Sequence, residues 1–185
     1  MRIKRSAYVL LVVTLPSLLA AQETTNTQKE ATKLEAFQAK TGIVVVRGYT
    51  TVGMIRGLGA DITIDAREFR DASSANARAS GITVSVKENG GLERENTSFI
   101  DADEIDSLLA GLDYISKASK EMTKLSQFEA EYRTKGNFSV AVFSQSNGPT
   151  STAVSSGLIG KTTAYIRLSD LPELRRLIVA AKAQL

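Results

Sequence analysis

The sequence contains no histidine, no cysteine and no tryptophan among its 185 residues, and only three prolines. Without His or Cys, the chain cannot form a Ser-His-Asp triad, a Cys-His pair, a thiol redox centre or a zinc or haem site built on those ligands. It also has no Ser-x-x-Lys and no Gly-x-Ser-x-Gly motif. The composition therefore predicts no catalytic residue and no cofactor, and carboxylate chemistry is the main enzymatic alternative.

A positively charged start and an apolar run predict that residues 1–21 are a cleavable secretory signal peptide. Three basic residues lie within the first five positions, an uncharged run of 13 residues follows from Ala7 to Leu19, and the small pair Ala20 and Ala21 ends the segment. A membrane-spanning helix needs about 20 apolar residues, so we expect no permanent membrane anchor. The sequence predicts export by the general secretory route and a periplasmic or extracellular location.

Removal of the predicted signal peptide changes the net charge. The chain has 23 basic and 20 acidic residues, and three of the basic residues but none of the acidic ones lie in residues 1–21. The remaining chain therefore carries 20 residues of each sign and is close to neutral. Because it lacks the basic excess that is typical of nucleic-acid-binding proteins, nucleic acid is not an expected partner.

Two segments follow the predicted signal peptide. Residues 22–41 are polar and helix-prone, with Leu34 and Phe37 as the only large apolar pair, so we expect a flexible tether or a loosely docked helix. Residues 42–185 carry the alternating and helical patterns of a folded domain, and their number suits a single domain.

Strand patterns dominate the first part of this domain. The β-branched run Ile43–Val46 and the stretch from Tyr49 to Ile55 predict a strand buried on both faces, or two short strands. Apolar and polar residues alternate from Ile62 to Arg67 and from Ile82 to Lys87, as in strands with one solvent-exposed face. The triplet Asn89-Gly90-Gly91 tolerates positive φ and predicts a hairpin.

Two amphipathic helices are predicted from apolar residues at helical spacing, one beginning near Ile105 and the other near Leu171. A shift of 66 residues aligns the first helix and the strand before it with the second helix and its strand, without a gap. The domain is therefore predicted as α+β, with a largely antiparallel sheet and two similar strand-rich halves, about 42–122 and 126–185, each ending in a helix.

This order of elements resembles the whirly-type single-stranded-DNA-binding fold, in which four strands and a helix occur twice. The resemblance rests on the layout of the predicted strands and of the helices near Ile105 and Leu171. It implies a groove for nucleic acid, and it makes single-stranded nucleic-acid binding one functional alternative.

Four carboxylates lie at the predicted start of the first helix, namely Asp101, Asp103, Glu104 and Asp106. Closely spaced carboxylates bind hard cations such as Ca²⁺, so these residues are candidate ligands of a metal and candidate groups of a carboxylate- or metal-dependent hydrolase. The same residues also suit the positive end of a helix dipole, an interpretation that needs no ligand.

Arg56 lies among Gly53, Gly57 and Gly59, and it is a candidate anion-binding residue because glycine-rich backbone beside an arginine can cradle an anion. The segment matches neither the dinucleotide-binding motif nor the phosphate-loop motif. A tight turn or a bulge between two strands explains the glycines without any ligand.

Seven aromatic residues allow two interpretations. They can form a stacking platform for sugars or bases, or they can fill the core of a chain that has no Trp. The residues are Tyr49, Phe69, Phe99, Tyr132, Phe138, Phe143 and Tyr165.

The leading functional hypothesis is an exported, non-catalytic binding or assembly module of the bacterial envelope, whose ligand and partners are not specified by the sequence. Exposed sheet edges can pair with another chain, and the Ser- and Thr-rich stretch Thr150–Ser156 is one candidate edge. A homo-oligomer formed through sheet edges fits this hypothesis.

Overall fold

The computed structural model describes residues 30–91, 93–145 and 149–185, so the predicted signal peptide lies outside the described residues. The described part contains three helices and eight strands. In chain order they are α1 (Lys33–Gln38), β1 (Val45–Arg56), β2 (Ala60–Asp71), β3 (Ser74–Glu88), β4 (Glu95–Asp101), α2 (Ile105–Ile115), β5 (Glu129–Arg133), β6 (Phe138–Ser144), β7 (Thr150–Ser156), β8 (Thr162–Ile166) and α3 (Leu171–Lys182). Within these residues, no helix combines the length and the apolar character needed to cross a membrane.

The strands form two antiparallel sheets, each with its strands in sequence order. Strands β1 to β4 form sheet A, and strands β5 to β8 form sheet B. The predicted α+β fold, with two strand-rich halves each followed by a helix, is confirmed. The hairpin predicted at Asn89-Gly90-Gly91 joins β3 to β4, and both of its glycines have positive φ.

One hydrophobic core lies between the sheets and the two long helices. Alternating apolar residues of sheet A, such as Ile62, Ile64 and Val84, are fully buried there. Val140 and Val154 contribute the same alternation from sheet B. Both halves therefore share this main core.

Each long helix packs mainly against the sheet of the other half. Helix α2, which ends the first half, contacts β5 and β6, whereas α3, which ends the second half, contacts β1, β2 and β3. In the first contact the ring of Tyr132 lies over Gly111 of α2, so close that a Cβ on this glycine would be 2.2 Å from the ring. In the second contact, Leu177 of α3 lies over Gly53 of β1 in the same way. The two halves are therefore interlocked.

Helix α1 packs on the outer face of sheet A, opposite the main core. Its Leu34 is fully buried and its Phe37 is nearly so, and both contact Phe69 in a second, smaller cluster. Thr32 caps the helix by accepting a hydrogen bond from the Glu35 backbone N–H at 3.0 Å, and the Glu35 carboxylate accepts one from the Thr32 N–H. Buried contacts therefore hold α1 against sheet A, and the helix is not loosely docked.

The prediction that the region from Ile43 to Ile55 is buried on both faces is wrong. Strand β1 is the edge of sheet A, and most of its residues between Val45 and Met54 are exposed or only half-buried. A β-branched run has the same sequence pattern in a central strand and in an exposed edge strand, because both favour Val and Thr.

Candidate binding surface

The four carboxylates predicted at the start of α2 point to different partners. Asp101 is buried and accepts hydrogen bonds from the backbone N–H groups of Lys33 at 2.7 Å and Leu34 at 3.1 Å. It therefore satisfies free donors at the start of α1 rather than of α2. Asp103 is exposed and pairs with the Lys33 ammonium at 2.7 Å, a hydrogen bond that lowers the pKa of Asp103.

The other two carboxylates connect further parts of the chain. Glu104 accepts a hydrogen bond from the backbone N–H of Lys135 at 2.7 Å, and Asp106 pairs with Lys182 of α3 at 2.5 Å. Within the residues that the structure describes, no group of three or more Asp or Glu side chains is placed to hold a metal ion. The placement of these carboxylates thus gives metal-dependent hydrolysis no support, and the helix-dipole interpretation applies mainly to Asp106.

The glycines around Arg56 form a turn and a bulge, as the interpretation without a ligand predicts. The β1 to β2 register shifts between Thr51 and Gly53, and Gly59 takes a positive φ of 83° in the connection between these strands. Arg56 itself is exposed at the end of β1.

The seven aromatic residues do not form one platform. Phe69 and Phe138 are buried, as the core interpretation predicts, and Phe69 lies 6.3 Å from both Phe37 and Phe99 between ring centroids. Tyr49 is exposed on β1, whereas Tyr165 is about half exposed on β8. Of the seven rings, only Phe143 and Tyr165 line a common cleft, and the exposed ring of Tyr49 lies apart from them on β1.

Strand β1 is the longest open edge in the described part of the chain. It has 12 residues and pairs only with β2. Its apolar side chains Val46, Tyr49 and Met54 are more than half exposed, as is Val44 just before it. Clusters of exposed apolar residues on a long edge strand are typical of a surface that associates with another chain.

The hydrogen-bond pattern identifies the free backbone groups of this edge. Val44 accepts a hydrogen bond from Ala72 at 2.9 Å, and the register of the ladder places these two residues opposite each other. Backbone groups alternate in direction along an antiparallel strand, so residues 46, 48 and 50 face β2. Residues 45, 47, 49 and 51 therefore direct their N–H and C=O groups away from the sheet.

Side chains on the outer face hold β1 against β2. Asp65 accepts hydrogen bonds from Thr51 at 2.9 Å and from Arg67 at 2.8 Å, and the Arg67 guanidinium lies 5.1 Å from the centre of the Tyr49 ring. The Arg47 guanidinium lies 5.9 Å from the centre of the Phe69 ring. These contacts position Tyr49 and keep Arg47, the only charged residue from Val45 to Ile55, folded back over the sheet.

Other edges of the two sheets are covered or short. Leu58, in the β1 to β2 connection, exchanges backbone hydrogen bonds with Tyr165 of β8 at 2.7 and 3.1 Å. Gly136 lies so close to the backbone of Phe99 in β4 that a Cβ would be 1.8 Å from the carbonyl oxygen. Strand β5 has only five residues. The edge predicted at Thr150–Ser156 is wrong, since β7 pairs with both β6 and β8.

The exposure of β1 is the candidate feature that the sequence patterns did not reveal. Val and Thr suit a central strand and an exposed edge strand alike, so the sequence carried no signal that separates the two. No family model matches this chain, and no curated protein and no solved structure is significantly similar to it.

Proposed function

We propose that this protein is an exported, non-catalytic assembly module of the cell envelope that binds a second copy of itself through the edge of β1. The observation that carries the proposal is the open β1 edge, where four apolar side chains are more than half exposed. Export rests on the sequence pattern of residues 1–21.

Three properties of the edge support self-association. First, it offers a row of unpaired backbone donors and acceptors at residues 45, 47, 49 and 51, which an antiparallel partner strand would satisfy. Second, Tyr49 and Met54 place apolar surface on one face of the strand, and Val46 does so on the other. Third, the one charged residue in this stretch, Arg47, lies over Phe69. An identical strand therefore brings matching apolar groups and little charge repulsion.

The test is a pair of substitutions at Arg47. Proline removes the outward N–H of this residue but no hydrogen bond to β2, since the residue faces the free edge, and proline is tolerated on edge strands. Arg47→Pro is expected to convert an oligomer into a monomer in multi-angle light scattering. Arg47→Ala keeps the N–H and removes the same side chain, so it is the matched control and should stay oligomeric.

Two results would reject this function. A wild-type protein that remains strictly monomeric at concentrations up to about 100 µM, the range of weak complexes, has no self-association to explain. An Arg47→Ala variant that dissociates as fully as Arg47→Pro would assign the effect to the side chain instead of the backbone edge. Circular dichroism of both variants verifies that the fold is retained.

Single-stranded nucleic-acid binding is the second candidate, and the confirmed order of four strands and a helix, occurring twice, favours it. It predicts retention on an immobilised oligonucleotide that weakens steeply with salt. The assembly proposal predicts no retention at low salt, because the chain after residue 21 is close to neutral.

A further inference from the structure

A cleft opens between the β1 to β2 connection and the end of β8. Its volume is about 680 Å³, which lies within the range of small-molecule sites. Arg56 and Leu58 line one side, Tyr165 and Arg167 line the strand side, and Phe143 of β6 also contributes. The cleft therefore brings together residues that are far apart in the sequence and come from both halves of the chain.

Backbone contacts hold the walls of this cleft in place. The two hydrogen bonds between Leu58 and Tyr165 tie the connection to β8. Gly57 approaches so closely that a Cβ would be 3.0 Å from the Ala60 and Tyr165 carbonyl oxygens. Because these contacts hold the connection in place, a ligand would meet a site that is already formed.

Apolar groups in the cleft face solvent. Leu58 is 78% exposed, although it is held by two backbone hydrogen bonds to its neighbour strand. Tyr165 is 48% exposed, and Phe143 is half-buried beside it. An exposed leucine and two rings in a concave site are typical of the surface that holds the apolar or planar body of a ligand.

The charges of the cleft leave one cation free. Arg167 forms two hydrogen bonds with Asp170, at 3.1 and 3.2 Å, and this pair lowers the pKa of Asp170. Arg56, in contrast, makes no hydrogen bond or ion pair with any residue of the described part. Its neighbour across the ladder is Asp61, and no ion pair joins them within 4.0 Å. The cleft thus has a net positive charge, located at Arg56.

We propose that this cleft binds a small amphipathic anion, with its anionic group at Arg56 and its apolar body against Leu58, Phe143 and Tyr165. The guanidinium suits a carboxylate, sulfonate or phosphate group, each of which accepts two parallel hydrogen bonds from arginine. This site is separate from the free backbone groups of β1 at residues 45 to 51. It therefore does not depend on self-association.

The experiment uses two fluorescent probes that differ by one charge. Anilinonaphthalene sulfonate carries an anionic group on an aromatic body, and phenylnaphthylamine has a closely similar body without the charge. Arg56→Gln is expected to weaken binding of the sulfonate about tenfold, because one charge-assisted contact is lost, and to leave binding of the neutral probe unchanged.

Two further variants serve as controls. Arg78→Gln removes another exposed arginine, on β3 and outside the cleft, and should leave the affinity for both probes unchanged. Leu58→Ser shortens an exposed apolar side chain of the cleft, so it should weaken both probes by about threefold to tenfold. Arg56→Lys keeps the positive charge and should recover part of the affinity for the sulfonate.

Three outcomes would overturn the proposal. Equal affinity of the wild type and Arg56→Gln for the sulfonate would show that Arg56 does not bind the anionic group. An equal loss in Arg78→Gln would show that any exposed arginine affects sulfonate binding. Unchanged affinity of Leu58→Ser for both probes would show that the probes bind outside the cleft. Repeating the titrations on monomeric Arg47→Pro separates this site from the oligomer, since the cleft is expected to bind the sulfonate in that variant too.

Discussion

The two halves of the molecule share a core pattern but differ on their outer surfaces. Strands of sheet A reach 12 to 15 residues in β1, β2 and β3, whereas those of sheet B have five or seven. One end of the outer face of sheet A is covered by α1, whereas a shallow trough lined by Ala141 and Ala153 lies on the outer face of sheet B. The halves are therefore alike in the core that they share, whereas the long open edge of β1 belongs to the first half alone.

Each long helix makes one close contact between a glycine and a large side chain, and the two contacts differ in which element supplies the glycine. On α2 the helix supplies the glycine, Gly111, and the strand supplies the large side chain, Tyr132. On α3 the helix supplies the large side chain, Leu177, and the strand supplies the glycine, Gly53. Positions 111 and 177 match under the 66-residue shift, so the close approach occurs at matching positions of the two helices, with the glycine and the large side chain exchanged.

The largest effect is expected when the halves are separated. Because each helix packs on the sheet of the other half, a half expressed alone exposes the apolar inner face of its sheet and loses the helix that covers it. We expect residues 30–122 and 126–185 to be unfolded or aggregated when produced separately and to fold together when co-expressed. Circular dichroism and the dispersion of amide signals in NMR spectra show whether each half is folded, alone and when co-expressed.

Either half giving a cooperative unfolding transition by itself would show that it has an independent core. The control is the full chain cut by a protease at a site inserted near Lys124, between the halves. Its two pieces should remain associated on size exclusion, since the core contacts are unchanged by the cut.

An intermediate effect is expected from alanine at the two equivalent contacts. In Gly111→Ala the new Cβ would lie 2.2 Å from Cδ2 and 2.6 Å from Cγ of the Tyr132 ring, so the whole rigid ring would have to shift. The free energy of unfolding should therefore fall by about 1 to 3 kcal/mol. In Gly53→Ala the nearest atom is the flexible end of Leu177, at 2.5 Å, and a smaller loss is expected. Urea denaturation of both variants measures the difference.

Helix propensity alone predicts the opposite sign for the first variant, because Ala is favoured over Gly by about 1 kcal/mol inside a helix. A more stable Gly111→Ala would therefore show that the Tyr132 ring moves aside easily. A larger loss of unfolding free energy in Gly53→Ala than in Gly111→Ala would contradict the expectation that the contact with Tyr132 tolerates a Cβ less well than the contact with Leu177.

The smallest effect concerns a surface pair that joins the two helices. Arg175 of α3 donates two hydrogen bonds to Asp113 of α2, at 2.6 and 3.0 Å, and the hydrogen bonding lowers the pKa of Asp113. A lowered pKa stabilises the fold above the unfolded value of about 4, and this stabilisation is lost as the pH falls through the folded value. Asp113→Asn should therefore be less stable than the wild type at pH 7, by a small amount.

The measurement is the urea midpoint of the wild type and Asp113→Asn at neutral pH and at about pH 3, below the unfolded value. The gap between the two proteins should narrow in acid, because the wild-type carboxyl then loses its charge as well. An equal difference in urea midpoint at both pH values would mean that the charge of the Asp113 carboxylate does not stabilise the fold.

Local patterns predicted the elements of this fold well, because they depend on neighbours in the sequence. Period-two alternation identified β2 and β3, and helical spacing identified α2 and α3. The status of β1 was not predictable in this way, since exposure depends on which strand lies at the edge of a sheet. The domain boundaries inferred from the sequence stay predictions.

The candidate sites illustrate the same limit. Asp101 and Asp103 read as part of one acidic cluster, but their partners are residues of α1 about 70 positions earlier in the chain. Arg56 was identified from the glycines around it, whereas Phe143 and Tyr165 enter the same cleft only through the packing of sheet B. Side chains that meet through tertiary contacts leave no common signal in the sequence.

The bridge between Leu58 and Tyr165 has a consequence for the symmetry of any assembly. With β8 bridged and β4 approached by Gly136, β1 is the one long free edge in the described part of the chain. Two copies that pair through the same antiparallel strand are related by a twofold axis, so the contact uses up the edge on both. Growth then stops at two subunits, because no second long edge is left from which a fibre could extend.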